Sequence, residues 1–206
     1  MRGPGKFPVG LGAFALLLVG AAPLPPCPSP GDVPGRLLRI IPEASSVRFD
    51  ADAVLHDFSG EGQGLGGWIL LPERGPEEVL ACVAVAAASL QTGISMRDNL
   101  MRQNHLEIGQ HPYIRLAVRG ARALERPAPG RLRAEVLGEF RLHGVPRERS
   151  LPVEVTLDGE TLTVVGSFPV RLSEHAIAAP AFLFVRMRDL VKVTVRLVAG
   201  PEESGR

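Results

Sequence analysis

Ser89-Leu-Gln-Thr92-Gly93-Ile-Ser95-Met-Arg97-Asp98-Asn-Leu-Met101-Arg102-Gln-Asn-His105, running on to His111-Pro112-Tyr-Ile114, is the stretch on which the fold turns. It is the one helical pattern in a chain that otherwise reads as strands. Thr92-Gly93 marks a turn, and Ser95 with Asp98 three residues later matches a capping box that would start a helix at Ser95. Met96, Leu100 and Met101 share one helical face, and Gly109 and Pro112 end the region. The reading is one short helix around residues 96–104.

On both sides of it the apolar residues recur with period two, the spacing of a half-buried strand. Val47, Phe49, Ala51 and Ala53 alternate with Arg48, Asp50 and Asp52. Gly67 to Leu71 carries Trp68 and ends at Pro72. Val79 to Ala88 is apolar throughout, and its β-branched Val79, Val83 and Val85 favour a strand over a helix. Further along, Ile114, Leu116 and Val118 alternate with Arg115 and Arg119. Leu132 to Leu142, Leu151 to Leu157, Leu162 to Val170 and Val191 to Leu197 repeat the pattern. Asp158-Gly159 is a two-residue hairpin signal. The expectation is an all-β domain of about eight antiparallel strands, closed into a barrel so that no edge is left open. A two-sheet sandwich is the competing arrangement.

The termini and composition bound the rest. Arg2 and Lys6, the apolar run Leu11 to Val19 and the small residues Gly20-Ala-Ala22 predict a signal peptide over 1–22. Six prolines among the twelve residues from Pro23 to Pro34 predict a linker over 23–35. The barrel domain is then expected over 36–200, with a tail at 201–206. This places the domain in the periplasm or outside the cell. Leu24-Pro25-Pro26 and Pro28 argue against a lipoprotein anchor at Cys27. A Cys27–Cys82 disulfide is allowed in such a compartment, though the spacing does not demand it. Net charge is +1, and the scattered Arg residues form no basic stripe, so nucleic acid is not expected as a partner.

Catalytic patterns are missing. Gly62-Gln-Gly64-Leu-Gly66-Gly67 runs into Trp68-Ile-Leu-Leu-Pro72, a strand, whereas a dinucleotide site needs a helix there. His56, His105, His111, His143 and His175 form no H-x-H or H-E-x-x-H pair, so no metal site is assigned. No G-x-S-x-G turn is present. Arg97 and Asp98, adjacent on a helix, diverge by roughly 100° and do not pair with each other. Asp98 is read as a cap. Arg97 is read as pairing with a strand residue or, functionally, as a cation at a tunnel mouth.

Several stretches resemble the YceI-like family. They are His56-Asp-Phe58-Ser-Gly60, the helical region quoted above, Gly138-Glu-Phe-Arg-Leu-His143-Gly144-Val145 with Leu151-Pro-Val-Glu-Val155, and Leu172-Ser-Glu-His-Ala176-Ile177 with Pro180 and Asp189-Leu-Val-Lys-Val193. Ala176 stands where members often carry Gly. The resemblance implies a lipocalin-like barrel around an apolar tunnel, and an isoprenoid ligand such as a quinone or polyprenyl phosphate. It implies no catalysis and no other cofactor. The ligand wall is expected from Phe58, Trp68, Val83, Val85, Met101, Ile114, Leu116, Val136, Phe140, Val153, Val164, Phe168, Phe182, Phe184 and Val193, with Arg97 at the mouth. Transient membrane contact and a homodimer are compatible with this reading. Two alternatives stand beside it: a hydrolase that brings polar residues, for example His143 or His175, together on the cavity, and a partner-binding barrel with a filled core.

Overall fold

The computed structural model describes residues 27–53, 57–179, 181–182 and 185–202. The predicted signal peptide lies outside them, as do His56 and Phe184. The strands, in chain order, are β1 (Arg36–Ile40), β2 (Ser46–Ala53), β3 (Phe58–Gly62), β4 (Gly66–Leu71), β5 (Leu80–Ala86), β6 (Tyr113–Ala128), β7 (Arg131–Leu142), β8 (Val145–Asp158), β9 (Thr161–Arg171), β10 (Ala181–Phe182) and β11 (Val185–Pro201). The helix α1 spans Ser95–Leu100 and continues as a π-helical turn over Met101–His105.

Neighbouring strands follow the order β1-β4-β5-β6-β7-β8-β9-β11, and β11 returns to β1. That return closes an eight-stranded antiparallel barrel and decides against the sandwich. One barrel position is shared. β11 pairs with β2 from Met187 to Arg196 and with β1 from Ala199 to Pro201. The one-turn 3-10 helix Pro42–Ala44 separates the two. β3 is the hairpin partner of β2. The alternation legible in the sequence survives as register: Val193 sits between Phe49 on β2 and Phe168 on β9.

The turns obey local chemistry. His143-Gly144 joins β7 to β8 with φ of 52° and 72°, the double left-handed pattern that matches strand twist. The β8–β9 turn is centred one residue later than expected. Asp158 pairs with Thr161, leaving Gly159-Glu160 as the loop, with φ of 57° at Gly159. Gly60 on β3 faces the Phe49 ring, and a Cβ there would lie 2.1 Å from it. Glycine is what lets this aromatic ring lie across the strand. The outer face is polar and carries cross-strand ion pairs such as Arg133–Glu125 and Arg122–Glu135. Exposed pairs of this kind contribute little to stability, about 0–1 kcal/mol each. They engage part of the scattered arginines.

Cys27 and Cys82 form a disulfide, with Cα atoms 5.6 Å apart. It holds the chain before β1 against the outside of β4 and β5. There Trp68 Nε1 donates to the Pro28 carbonyl at 2.7 Å, and Trp68, Leu70 and Cys82 pack with Cys27, Leu37 and Leu80. Among the described residues no helix is long and apolar enough to cross a membrane.

Candidate functional site

The barrel is hollow. Its interior cavity measures about 1330 Å³, larger than the roughly 300–1,000 Å³ of ordinary ligand pockets. The wall is built by strand parity. Leu132, Ala134, Val136, Phe140 and Leu142 from β7 face it, as do Val153 and Val155 from β8 and Val164, Phe168 and Val170 from β9. Several of these inward residues, including Val136, Val155, Val164, Val193 and Val195, are only partly buried. In a filled core they would be covered on all sides.

The cavity runs from end to end. At one end it reaches Ile94, Met96, Arg97, Leu100 and Met101 of the helical region. At the other it reaches the β4–β5 loop, Pro72 to Pro76, and Arg126. Between these ends the lining is almost entirely aliphatic and aromatic. The charged and polar side chains Glu73, Arg74, Arg126, Arg97, Asn104 and His105 belong to the terminal segments. Arg115 also borders the cavity, but from a strand whose inward positions are Ile114 and Leu116.

The helical end is held by a local polar network. Ile94, not Ser95, is the N-cap of α1, and no side chain caps the helix. The Asp98 carboxylate turns back to the preceding loop instead, accepting from Thr92 N at 2.8 Å and Thr92 Oγ1 at 2.5 Å. Burial alone would raise its pKa. The Thr92 hydrogen bonds and the charges of Arg102 and Arg97 outweigh that and hold it below the usual carboxylate value. Arg97 Nε donates to Thr92 Oγ1 at 2.7 Å and Arg97 Nη2 to the Thr92 carbonyl at 3.0 Å. The guanidinium lies 4.3 Å from the centre of the Phe58 ring. Arg102 donates twice to the Leu90 carbonyl. Arg97 therefore donates its hydrogen bonds to the Thr92 loop and meets a strand residue through the Phe58 ring, while also bordering the cavity.

Of the residues nominated from sequence, Phe58, Val83, Val85, Met101, Ile114, Leu116, Val136, Phe140, Val153, Val164, Phe168, Val193 and Arg97 border the cavity. Trp68 does not. On β4 the inward positions are Ile69 and Leu71, so Trp68 falls on the outer face beneath the disulfide-tethered segment. Phe182 is placed only as a backbone partner of Val185. Among those missed from sequence were Val47, Phe49, Ile69, Leu90, Leu106, Ile177, Val195 and Leu197. The alternation of β2 and β11 carried a signal for Val47, Phe49, Val195 and Leu197. Leu90, Leu106 and Ile177 sit in irregular segments, where periodicity has nothing to say.

His143 and His175 border no part of the cavity. His175 is fully buried, donates from Nδ1 to the Val145 carbonyl at 3.0 Å, and stacks edge-on against Phe140. Burial pushes its pKa down, disfavouring the charged ring. His105 lines the cavity, and burial lowers its pKa too, partly offset by a hydrogen bond with the Ala178 backbone.

The family model of the YceI-like domain matches residues 38–199. No curated protein gives a significant match. Among solved structures the chain is similar to BcnA of Burkholderia cenocepacia, with 16% identity and a TM-score of 0.65 over 77% of this chain and 98% of that one. It is also similar to a polyisoprenoid binding domain from Saccharophagus degradans, described as implicated in plant cell wall breakdown. There the identity is 15% and the TM-score 0.64, over 82% of this chain and 100% of that one. A YceI protein of Campylobacter jejuni matches at 14% identity and a TM-score of 0.58, over 72% of this chain and 88% of that one. At these identities the likeness speaks for the fold, which agrees with the barrel found here. The family model spans most of the chain, and the chain belongs to the YceI-like family.

Proposed function

We propose that this protein is an exported, non-catalytic binding protein that holds one long isoprenoid lipid, of quinone or polyprenyl type, threaded through the barrel. The observation that carries this reading is the end-to-end apolar cavity of about 1330 Å³. Its shape suits a chain rather than a compact ring system. Burying ten methylenes contributes on the order of 8 kcal/mol gross, enough for roughly micromolar binding before ordering costs. The similar domain from Saccharophagus degradans carries the name polyisoprenoid binding, which supports the ligand class. Polar groups at the cavity ends, Arg97 among them, suit a lipid with an oxygen-bearing head.

The signal-like segment over 1–22 and the Cys27–Cys82 disulfide support export to an oxidising compartment. Met96 is 71% exposed and Ile94 53% at the helical end of the cavity, which supports brief contact with a membrane during loading. The hydrolase alternative calls for polar residues converging on the cavity; His143 and His175 are not among its lining, and polar side chains that are, such as His105 and Asn104, belong to the terminal segments.

The test is solvent extraction and mass spectrometry of the protein purified from cells that make it, followed by titration of the delipidated protein with a quinone and a polyprenol. One prenyl lipid per protein and roughly micromolar or tighter affinity are expected. Protein that is always empty, and that takes up neither lipid, rules the proposal out.

A further inference from the structure

We propose that Glu107, His111 and His143 form a binding site for one divalent transition-metal ion, of which zinc is the best match, outside the apolar cavity and independent of the lipid. One ligand atom from each of the three lies within 4.8 Å of the other two. The sequence hides this cluster, because His143 comes 32 positions after His111.

Two elements bring the residues together. After the π-helical turn the chain reverses at Glu107, where both Gln110 N and His111 N donate to the Glu107 carbonyl. That reversal puts the Glu107 and His111 side chains on one side of the turn. Pro112 then anchors the segment by accepting from Ala87 N at 2.9 Å. His143 comes from the β7–β8 turn. Its neighbour Gly144 lies under the His111 ring, and a Cβ there would be 2.7 Å from His111 Cε1. The rings of His111 and His143 meet edge to face with centroids 4.5 Å apart.

Hydrogen bonding at His143 points to a cation. Nδ1 faces the His175 carbonyl at 3.2 Å, and Nε2 faces the Glu107 carboxylate at 2.8 Å. Both partners are acceptors. A neutral ring has one proton and satisfies only one of them, whereas a cationic ring, or a cation bound at Nε2, answers both. A metal ion at Nε2 resolves the conflict. It takes the Nε2 lone pair and the carboxylate oxygen as ligands, while Nδ1–H keeps the carbonyl. A histidine ligand oriented by a backbone carbonyl through its other nitrogen is the usual second layer of a zinc site.

Backbone conformation adds an independent observation. Glu107 has φ of 45° and His143 φ of 52°, the left-handed region where glycine or asparagine is the easier residue. A Glu and a His kept there at a local cost are the pattern of positions whose side chains are needed. Two imidazoles and one carboxylate suit zinc, with water completing four-coordination. Zinc bonds of about 2.0–2.2 Å require ligand atoms closer together than 4.8 Å. Glu107 already lies 2.8 Å from His143 Nε2, so the wider separation is to His111; Glu107 is 42% exposed and can adjust toward it, while His143, at 12%, is the fixed point. The ion would tie the segment behind the helix to the β7–β8 hairpin.

The experiment uses the full, untagged chain after chelator dialysis. Zinc chloride is titrated in calorimetrically, and cobalt chloride is added to a second sample to read the visible bands of a four-coordinate site. Expected are one ion per chain, affinity of about 1 µM or tighter, and cobalt bands displaced by zinc. Glu107→Gln and His111→Asn should each weaken zinc by roughly 100-fold or more. His143→Asn removes the imidazole but keeps a residue that tolerates the turn, so it separates ligation from folding. No stoichiometric zinc binding by the parent chain overturns the proposal. So does undiminished affinity in all three variants, which would place the ion elsewhere. Lipid content of the same samples is measured separately and bears only on the cavity.

Discussion

Ala176 shows how one side chain records a compromise. It caps the 3-10 turn Leu172–His175 with φ of 57° and ψ of 25°, the left-handed region. A Cβ costs about 1–2 kcal/mol there, which glycine does not incur. This is the position where the family resemblance led us to expect Gly. The turn forms regardless because its neighbours are fixed. His175 is fully buried, Ile177 is buried beside it, and Ile177 N donates to the Leu172 carbonyl at 3.1 Å. Ala176→Gly should relieve the strain while giving the unfolded chain more freedom, for a net gain of up to about 1 kcal/mol. Urea unfolding reads this directly. A midpoint that stays put or falls would show that the local conformation carries no strain.

At the scale of the element, the helical region rests on a carboxylate that points out of it. Asp98 leaves the expected capping box unmade and binds the Thr92 loop, so α1 is docked to the loop before it rather than capped from within. Replacing it by alanine strands the Thr92 donors and should cost about 2 kcal/mol at neutral pH. The effect has a pH signature. The folded pKa of Asp98 is lowered from 3.8, so the carboxylate's contribution is present above that value and is lost as pH falls through the lower folded pKa. The gap between parent and Asp98→Ala stability should therefore be constant near neutrality and shrink below about pH 3.8. A gap unchanged in acid would show that Asp98 acts through packing instead. The same region marks where sequence reading stops. Period-two alternation disclosed the longer strands because one face of each is wet and the other dry, but it did not single out the short β1 and β3. It gave no sign that β1 and β2 share one barrel position, since that depends on pairing with β11 far along the chain. It misjudged Trp68 because Ile69 and Leu70 blur the parity of β4, and the covering segment arrives only through a disulfide whose partner is 55 residues away.

For the whole molecule the decisive property is empty volume, which a sequence does not display. Val136, Val164 and Val193 look the same on paper whether the centre is filled or hollow. Their incomplete burial at inward positions tells the two apart. A substitution pair turns this into a prediction. Val164 and Val193 face the cavity from adjacent strands, with Val193 opposite Phe168 and Val164 opposite Leu197. Enlarging both to phenylalanine in a close-packed core would force neighbours off their rotamers, at about 1–3 kcal/mol for each site. In a hollow barrel the rings enter free space, so stability should change by less than about 1 kcal/mol in total. The lipid would lose what stability does not. Displacing three or four methylenes forfeits about 0.8 kcal/mol each, or roughly 100-fold in affinity for a prenyl chain. Val164→Phe with Val193→Phe is thus expected to unfold like the parent and to bind quinone or polyprenol far more weakly. Strong destabilisation would mean the interior is effectively full. Normal stability with undiminished binding would place the lipid somewhere other than the barrel.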